Sequence, residues 1–453
     1  MTVLLHLVSL FFAARRRFSV LCSLLNECST GPIYAPLSIF LACKSIILLL
    51  CLTKKKLQQK SFVFFHLRPF RAIIGLIVKE LLKKLIQARS TVDVGELAAA
   101  NILADYFTDH GFDCRVDTWD NEAGVTRANC LGHLKSSGEN PALLFASHLD
   151  VVPPGDSPWS TDPFDPVETD GRIYGRGSTD MKGPMVAAAA AIVDCLESGA
   201  ELKGDIIFAA TAGEETDSCG IKRFVKDFQR QSQPIAGIII PEPTDFKAVI
   251  AHRGMLWLEI TTAGKTAHSS MPHLGVNAVS KMMKLLDHLK DFQPIFTVHP
   301  LLGAPSMSVN VIHGGKAANV VPDSCSVTVD IRTVPGQLHT DITEQLKGFF
   351  EELERQDSEF HAEIEILRTI EALEGDADCE FVSNICRAGG IAETSAVGYT
   401  TDGPFLLPLE APIVIFGPGK SSICHQPDEY IEIADIETGT ASFKKMITSI
   451  LCD

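Results

Sequence analysis

The stretch LLFASHLDVVPPGDSPWSTDPFDPVETDGRIYGRGSTDMKG, residues 143–183, joins a predicted strand to two residues that suit a metal ion. The apolar residues 143–146 predict a buried strand that leads directly to His148. A turn-rich segment then ends in Asp180, just before an alanine-rich stretch that predicts a helix. His148 and Asp180 can bind a metal through nitrogen and oxygen, and Asp150 can hold the second ring nitrogen of His148. Because a short His-x-Asp motif often matches by chance, the interpretation depends on the other candidate ligands.

Alternating strands and helices surround this stretch and predict the fold class. Strands are predicted at residues 205–212, 235–240 and 412–416, and helices at residues 73–86, 97–107, 185–196 and 219–228. The helix at 97–107 is expected to bury Leu97, Ala100, Ala104 and Phe107. The alternation predicts an α/β fold with a mostly parallel sheet and helices on both faces.

The other candidate ligands also follow predicted strands. Glu214 and Glu215 come after the strand at 205–212, Glu242 after the strand at 235–240, and His425 in the loop beyond 412–416. The carboxyl ends of parallel strands form the edge of a sheet at which ligands bind. Two histidines and three carboxylates at one edge suit a pair of zinc-like ions with one bridging carboxylate, which leaves one acid to act as a base.

A second, smaller domain is predicted inside the first. Residues 252–367 show the order β-α-β-β-α-β, with strands at 253–262, 307–313, 325–332 and 362–367 and helices at 276–291 and 341–356. This order is typical of a small α+β domain. The chain is therefore expected to contain an extension (1–71), a catalytic domain in two parts (72–251 and 368–453), and this inserted domain (252–367).

The distribution of charge argues against nucleic acid as a partner. Residues 1–90 hold 14 Lys and Arg against 2 Asp and Glu, which leaves 26 basic and 54 acidic residues in 91–453, a net charge of −28. An acidic body of this kind repels phosphate backbones. The 13 cysteines lack paired spacing such as C-x-x-C, which predicts reduced thiols and a cytoplasmic protein.

Residues 1–71 differ in composition from the rest of the chain. The apolar stretches 3–14 and 36–52 both fall short of the roughly 18–20 uninterrupted apolar residues that a spanning helix needs. The arginines at 15–17 follow the first stretch, whereas a signal peptide carries its charge before the apolar run. A membrane anchor, a targeting segment and an extension read from an upstream start codon remain open, and we favour the third. Membrane contact is expected only if the extension is real.

Ten motifs, taken in order, resemble the two-zinc peptidase and deacylase family that includes acetylornithine deacetylase, succinyl-diaminopimelate desuccinylase, aminoacylase and carboxypeptidase G. They are SHLDVVPPGD, DPFDP, DGRIYGRGSTDMKG, GEE, PEPT, GKTAHSS, VNVIHGG, NVVP, DIRTVPG and HQPDEY, and they cover the chain from about residue 90 to its C-terminus. The resemblance implies that His148 and Glu242 bind one metal ion, that Glu215 and His425 bind the other, and that Asp180 bridges them. Zinc is the implied metal, with cobalt as an alternative.

The same resemblance implies roles for the other residues at the carboxyl ends of the predicted parallel strands, which we call the metal edge. Glu214 would be the general base, and Asp150 would orient His148. The peptide between Asp180 and Met181 would be cis. The inserted domain would serve as a lid and pair two subunits in a homodimer.

The resemblance also implies which residues contact the substrate. His268, Asn319 and Arg332 match positions that touch the substrate or its oxyanion, and His268 is expected to act in the partner subunit. Arg253 and Arg332 are candidate partners for a substrate carboxylate, because a guanidinium grips a carboxylate with two hydrogen bonds. Thr400 completes this predicted substrate-binding set. An N-acyl amino acid is therefore the expected small-molecule substrate.

The identity of the acyl group stays open in the sequence. Residues 251–255, AHRGM, are closer to acetylornithine deacetylases, whereas residues 401–405, TDGPF, lean toward desuccinylases. We favour an acetylornithine deacetylase-like deacylase of arginine or lysine biosynthesis. The alternatives are a succinyl-diaminopimelate desuccinylase, a dipeptidase or carboxypeptidase of the same family, and an inactive binding protein with the same fold.

Overall fold

A computed structural model describes residues 63–231 and 233–452 of the chain. The apolar stretches 3–14 and 36–52, and most of the predicted extension 1–71, therefore lie outside the described residues. The chain divides into two compact units, Met1–Phe70 and Arg71–Asp453, and all three sheets formed by the described residues lie in the second. Within the described part of the chain, no helix is long and apolar enough to cross a membrane.

The elements of the described residues alternate along most of the chain. The helices are α1 (Val63–Gln87), α2 (Leu97–Asp109), α3 (Gly183–Glu197), α4 (Cys219–Phe228), α5 (Ala278–Leu289), α6 (His339–Gln356), α7 (Glu380–Gly389), α8 (Gly403–Leu406) and α9 (Ile433–Leu451). The strands are β1 (Asp113–Asp120), β2 (Thr126–Leu134), β3 (Asn140–His148), β4 (Val167–Thr169), β5 (Arg172–Tyr174), β6 (Gly204–Thr211), β7 (Ile235–Ile240), β8 (Val249–His252), β9 (Gly254–Ala263), β10 (Ser306–Gly314), β11 (Ser324–Thr333), β12 (Ala362–Ile370), β13 (Leu373–Glu374), β14 (Ser395–Val397), β15 (Ile413–Ile415) and β16 (Tyr430–Glu432).

The largest sheet has four adjacent parallel strands at its centre. Its order is β1-β2-β6-β3-β7-β15-β8-β13, with β14 paired to β8. The strands β6, β3, β7 and β15 run parallel to one another, whereas the pairs β1–β2, β2–β6, β15–β8 and β8–β13 are antiparallel. The predicted strands before Glu214, His148 and Glu242, and the one that precedes the loop of His425, are therefore these four neighbours.

Both faces of this sheet are buried under helices, as predicted. Along β3, Leu143 and Phe145 pack into a core that includes residues of α2, α3 and α9, while Leu144 and Ala146 pack into a second core with α4. Because alternate side chains of a strand point to opposite faces, a strand covered on both sides reads as a continuous apolar run. This burial on both faces explains the continuous apolar run at residues 143–146.

Two features of the first domain differ from expectation. The antiparallel strands β1 and β2 were not predicted, because β1 reads DCRVDTWD and every one of its residues is exposed or only half-buried. Helix α2 buries Ala100 and Phe107 as expected, but its other buried residues are Ala99 and Leu103, and Leu97 is exposed.

The inserted region forms its own sheet with its own core. Its strands pair in the order β10-β11-β9-β12, and every pair is antiparallel. The chain order β9-α5-β10-β11-α6-β12 reproduces the predicted β-α-β-β-α-β pattern. Alternate residues of β9 and β11, such as Leu258 and Val329, pack against Leu285 of α5 and Leu346 of α6. One face of this sheet is therefore covered by α5 and α6.

Candidate active site

The five predicted metal ligands lie together at the carboxyl edge of the central strands. The Nε2 atom of His148, at the end of β3, is 3.2 Å from Oδ1 of Asp180 and 3.6 Å from Oε1 of Glu242. The Nε2 atom of His425 is 3.2 Å from Oδ2 of Asp180 and 3.0 Å from Oε1 of Glu215. The two oxygens of Asp180 thus face two different histidines, and its peptide bond to the next residue, Met181, is cis as the resemblance implied.

These residues form groups whose ligand atoms are close enough to share an ion. One group is His148, Asp180 and Glu242, and another is Asp180, Glu215 and His425, with the ligand atoms of each group within 4.8 Å of one another. His148, Glu214 and Glu215 make a third, overlapping group. Imidazole nitrogen with carboxylate oxygen is the donor set that zinc and related divalent ions take in proteins. The residues present therefore fit a pair of divalent cations.

The two groups that share Asp180 differ in their access to solvent. The side chains of His148 and Glu242 are 2% and 7% exposed, whereas that of His425 is 48% exposed. His425 also has a φ of 64°, which a non-glycine residue rarely adopts. A site that opens to solvent on one side leaves room for water and substrate, as catalytic metal sites do.

Buried negative charge dominates the electrostatics of this edge. Burial raises the pKa of Glu242 to about 8, raises that of Asp402 to about 7, and holds that of Glu214 well above its usual range. Hydrogen bonds to Asp180 and Glu215 raise the pKa of His425 to about 10. Cations bound among these carboxylates would relieve their mutual repulsion, so the charge as well as the donor set suits divalent ions.

The carboxylate of Asp150 holds the turn that carries Glu214 and Glu215. It accepts the main-chain N–H of Gly213 at 2.9 Å and those of Glu214 and Glu215 at 3.1 Å each. The imidazole of His148 donates from Nδ1 to the main-chain carbonyl of Asp150 at 2.9 Å, and the nearest carboxylate oxygen is 3.6 Å away. Asp150 therefore contacts His148 mainly through its backbone and uses its carboxylate for the turn.

A buried ion pair between Arg176 and Glu429, which was not predicted, supports the main chain at Asp180. Glu429 accepts the main-chain N–H of Thr179 at 2.9 Å and that of Asp180 at 3.1 Å, and it pairs with Arg176 at 2.7 Å. Arg176 also donates to the carbonyl of His425 at 3.4 Å. Both charged residues lie within quoted motifs, DGRIYGRGSTDMKG and HQPDEY, but only the folded chain brings them together.

The structure places two of the predicted substrate-binding residues, His268 and Asn319, on neighbouring segments of the inserted domain. His268 is exposed, contacts the hydroxyl of Ser270 at 2.8 Å and bridges to Val320 in the main chain. The carbonyl of Asn319 accepts the N–H of Ser269, so the segments around His268 and Asn319 run side by side. Among the described residues that could hold a metal, neither of them appears.

The two predicted arginines are both engaged within the inserted region. Arg253 donates to the main-chain carbonyls of Leu302 at 2.6 Å and Ala304 at 2.8 Å, so its guanidinium holds a loop. Arg332 pairs with Asp330 on the same strand, at 2.9 Å, and its side chain is 31% exposed. Both arginines are only half-buried, so each keeps part of its surface available to a ligand.

Thr400 is half-buried. The residue after it, Thr401, connects the end of β8 to the candidate active site. The hydroxyl of the following residue, Thr401, bonds to Nε2 of His252 at 3.1 Å and accepts the N–H of Gly403. His252 is fully buried at the end of β8, and this burial lowers its pKa to about 4. The neighbouring Asp402 lines a small cavity with His148, Glu214 and Glu242.

Comparison with known proteins adds relatives of both predicted activities. Residues 144–449 match the model of peptidase family M20/M25/M40. A probable succinyl-diaminopimelate desuccinylase of Staphylococcus epidermidis is 30% identical over 370 residues, which cover 74% of this chain and 88% of that protein. An acetylornithine deacetylase of Myxococcus xanthus is 33% identical over 341 residues, which cover 72% of this chain and 85% of that protein. The solved structure of the dipeptidase Dug1p from Saccharomyces cerevisiae has the same fold, with a TM-score of 0.67, 16% identity, and coverage of 84% of this chain and 97% of that chain.

Proposed function

The chain belongs to peptidase family M20/M25/M40 and is an amidohydrolase, and from this premise we propose that it removes the acyl group of an N-acyl amino acid. The observation that carries the proposal is the position of Asp180 between two histidines. Its Oδ1 faces His148 and its Oδ2 faces His425, each at 3.2 Å from Nε2. A carboxylate with one oxygen toward each of two candidate ligand groups supports a bridged pair of ions.

In this proposal the five strand-end residues divide between two divalent ions. His148 and Glu242 hold one ion, Glu215 and His425 hold the other, and Asp180 contacts both. Zinc suits this mixture of nitrogen and oxygen ligands, and cobalt takes similar ones. When bound, such ions would polarise the amide carbonyl and lower the pKa of a water molecule that attacks it.

Glu214 moves the proton in the proposed reaction. Its carboxylate accepts a proton from the attacking water and then delivers it to the amine nitrogen as the C–N bond breaks. The water oxygen remains on the acyl carbon, so the products are a carboxylic acid and a free amine. Three observations support this role: Glu214 is buried, it lies beside His148 and Glu215, and the Asp150 carboxylate holds its main-chain N–H.

The favoured substrate is an N-acetylated amino acid such as N-acetylornithine. The acetylornithine deacetylase among the relatives supports the acetyl group. Arg332 is our candidate for the partner of the substrate carboxylate, since its side chain is partly exposed. A second candidate is an N-succinyl amino acid, which the relative named as a probable desuccinylase supports. A cytoplasmic location, predicted from the unpaired cysteine spacing, belongs to the same proposal.

The oxyanion donor in this proposal is His268 of a second subunit. The inserted domain would pair two chains, so that His268 from one chain completes the site of the other. The exposure of His268 and its absence from the candidate metal groups of the described residues support this arrangement. A neutral or protonated imidazole can donate a hydrogen bond to a developing oxyanion.

A substrate panel on protein loaded with zinc or cobalt tests the proposal. The panel contains N-acetylornithine, N-succinyl-diaminopimelate and simple dipeptides, and the released acid and amine are both quantified. We expect acetate and ornithine in equal amounts from the first substrate. Release of succinate alone would favour the second candidate, and release of amino acids from dipeptides alone would contradict both. If metal-loaded protein released no product from any of them, the interpretation as a binding protein would replace the proposed function.

A further inference from the structure

The turn that carries Glu214 is held from two opposite sides. On one side its N–H groups point to the Asp150 carboxylate, as described for the site. On the other side Arg368 donates from Nη2 to the carbonyl of Glu214 at 2.6 Å and from Nη1 to the carbonyl of Glu215 at 3.2 Å. One guanidinium thus binds the carbonyls of two consecutive residues, of which the first is the proposed base.

Arg368 comes from the other sheet of the molecule. It lies on β12, the edge strand of the inserted sheet, where it pairs with Trp257 of β9. The pairing register shifts between Ile366 and Arg368, and such a bulge re-aims the side chains beside it. The guanidinium carbon is 5.9 Å from the ring centroid of Trp257, so the indole limits where the side chain can lie. The inserted sheet therefore reaches the catalytic turn through this side chain.

Groups of opposite charge lie at the two ends of a peptide dipole in this turn, and each charge stabilises the end that it faces. At the peptide between Glu214 and Glu215, the N–H faces the negative Asp150 and the carbonyl faces the positive Arg368. Hydrogen bonds with one charged partner are roughly twice as strong as neutral ones, so both contacts restrain the peptide planes of the turn. A restraint on these planes is also a restraint on the Cα–Cβ direction of Glu214.

We propose that Arg368 is a positioning residue through which the inserted sheet holds the Glu214 carboxylate in its reactive place. This inference rests on the proposed function, because it takes Glu214 to be the base. Arg368 binds the main chain of the turn and contacts no candidate metal ligand through that ligand's side chain. Its removal should therefore change the placement of the base, whereas the carboxylate of Glu215 keeps its own contact to His425.

The direct test compares the variants Arg368→Ala and Arg368→Lys with the wild-type enzyme. For Arg368→Ala we expect kcat to fall about 10–100-fold, as for supporting residues behind a reactive group, with KM within about threefold and metal content unchanged. Arg368→Lys keeps the charge but not the planar fork, so its loss should be smaller. Added guanidinium ion should restore part of the kcat of Arg368→Ala. Arg355→Ala, an exposed residue of α6 in the same domain, is the matched control and should keep full activity.

The possible results separate this inference from the proposed function. Arg368→Ala with wild-type kcat would overturn the inference, as would a loss that appears only in KM or that neither lysine nor guanidinium recovers. The variant Glu214→Gln is measured in parallel. If Glu214→Gln were fully active, the proposed function would fail first. If Glu214→Gln were inactive while Arg368→Ala was fully active, only the inference about Arg368 would fail.

Discussion

The carboxylate of Asp150 accepts the main-chain N–H of Glu214 at 3.1 Å, so a residue two positions after His148 also fixes the turn of the proposed base. Its carboxylate makes two further contacts to the same turn and is buried. Although burial favours its neutral form, the contacts to His148 and to the N–H of Glu215 hold the pKa of Asp150 below its usual range. Asp150 therefore stays ionised and acts on both the metal edge and the base.

The first prediction concerns Asp150→Asn. The amide keeps the shape of the side chain but turns an NH₂ group toward main-chain donors, which leaves a buried N–H without an acceptor. We expect the free energy of unfolding to fall by about 1–3 kcal/mol and kcat to fall about 10–100-fold. Denaturant unfolding and steady-state kinetics measure the two effects. Asp227→Asn, at an exposed position, is the control, and equal behaviour of both variants would contradict the role of Asp150.

A second prediction concerns Glu429, which accepts the N–H of Asp180 and pairs with the buried Arg176. In Glu429→Gln the shape is kept, but the support of the bridging aspartate loses its charge. We expect metal affinity to weaken about 10–100-fold, as is usual for residues that orient metal ligands. Competition with a chromophoric chelator measures the affinity. An unchanged affinity in well-folded Glu429→Gln would show that Asp180 keeps its position without this charge.

A third prediction concerns the stability of the fold. Glu96 and Arg127 form a buried ion pair at 2.7 Å, with side chains 0% and 2% exposed. Glu96→Gln leaves the buried charge of Arg127 without this partner. It should therefore lower the free energy of unfolding by about 3–5 kcal/mol. The exposed pair of Glu352 and Arg355 is the control, and Glu352→Gln should cost no more than about 1 kcal/mol. Similar losses of unfolding free energy in both variants would contradict the stabilising role of the buried ion pair.

The clustering of the candidate ligands at one sheet edge was predictable because its signals are local in the sequence. His148, Glu214 and Glu242 each follow an apolar run that forms a buried parallel strand, and such strands share one edge. The inserted domain was predictable for a related reason, since each of its strands and helices shows its own periodicity. The short strand β8 and the polar strand β1 lack such a pattern and were missed.

The contacts behind the metal edge could not be predicted in this way. Arg368 binds a carbonyl 154 positions earlier in the chain, and Arg176 pairs with Glu429 at a separation of 253 residues. Every residue has a main-chain carbonyl, so the sequence does not show which carbonyl accepts a hydrogen bond from a given side chain. A charged residue inside a motif likewise does not reveal its partner. The same limit applies to Arg253, because the sequence does not indicate that it holds the carbonyls of Leu302 and Ala304.

A fourth prediction tests the shared site proposed for His268. Chains with His268→Ala are mixed with chains with Glu214→Gln, both of which are expected to be inactive alone. If the sites are shared across a two-fold dimer, each hybrid dimer contains one intact site. With random exchange, half of the dimers are hybrids, so about a quarter of wild-type activity should return. No recovery, with subunit exchange confirmed by a tag, would assign His268 to its own chain or to the fold.

The metal content and turnover of Glu214→Gln, measured on the same sample, test whether Glu214 acts as a base beside two bound ions. We expect about two divalent ions per chain in this variant and in the wild type, as the two candidate groups require. It also predicts a loss of turnover of roughly 10²–10⁴-fold, as expected when a general base is removed. Glu215→Gln is the matched control, and it should lose metal together with activity. Normal turnover by Glu214→Gln that still holds its metal would contradict the account.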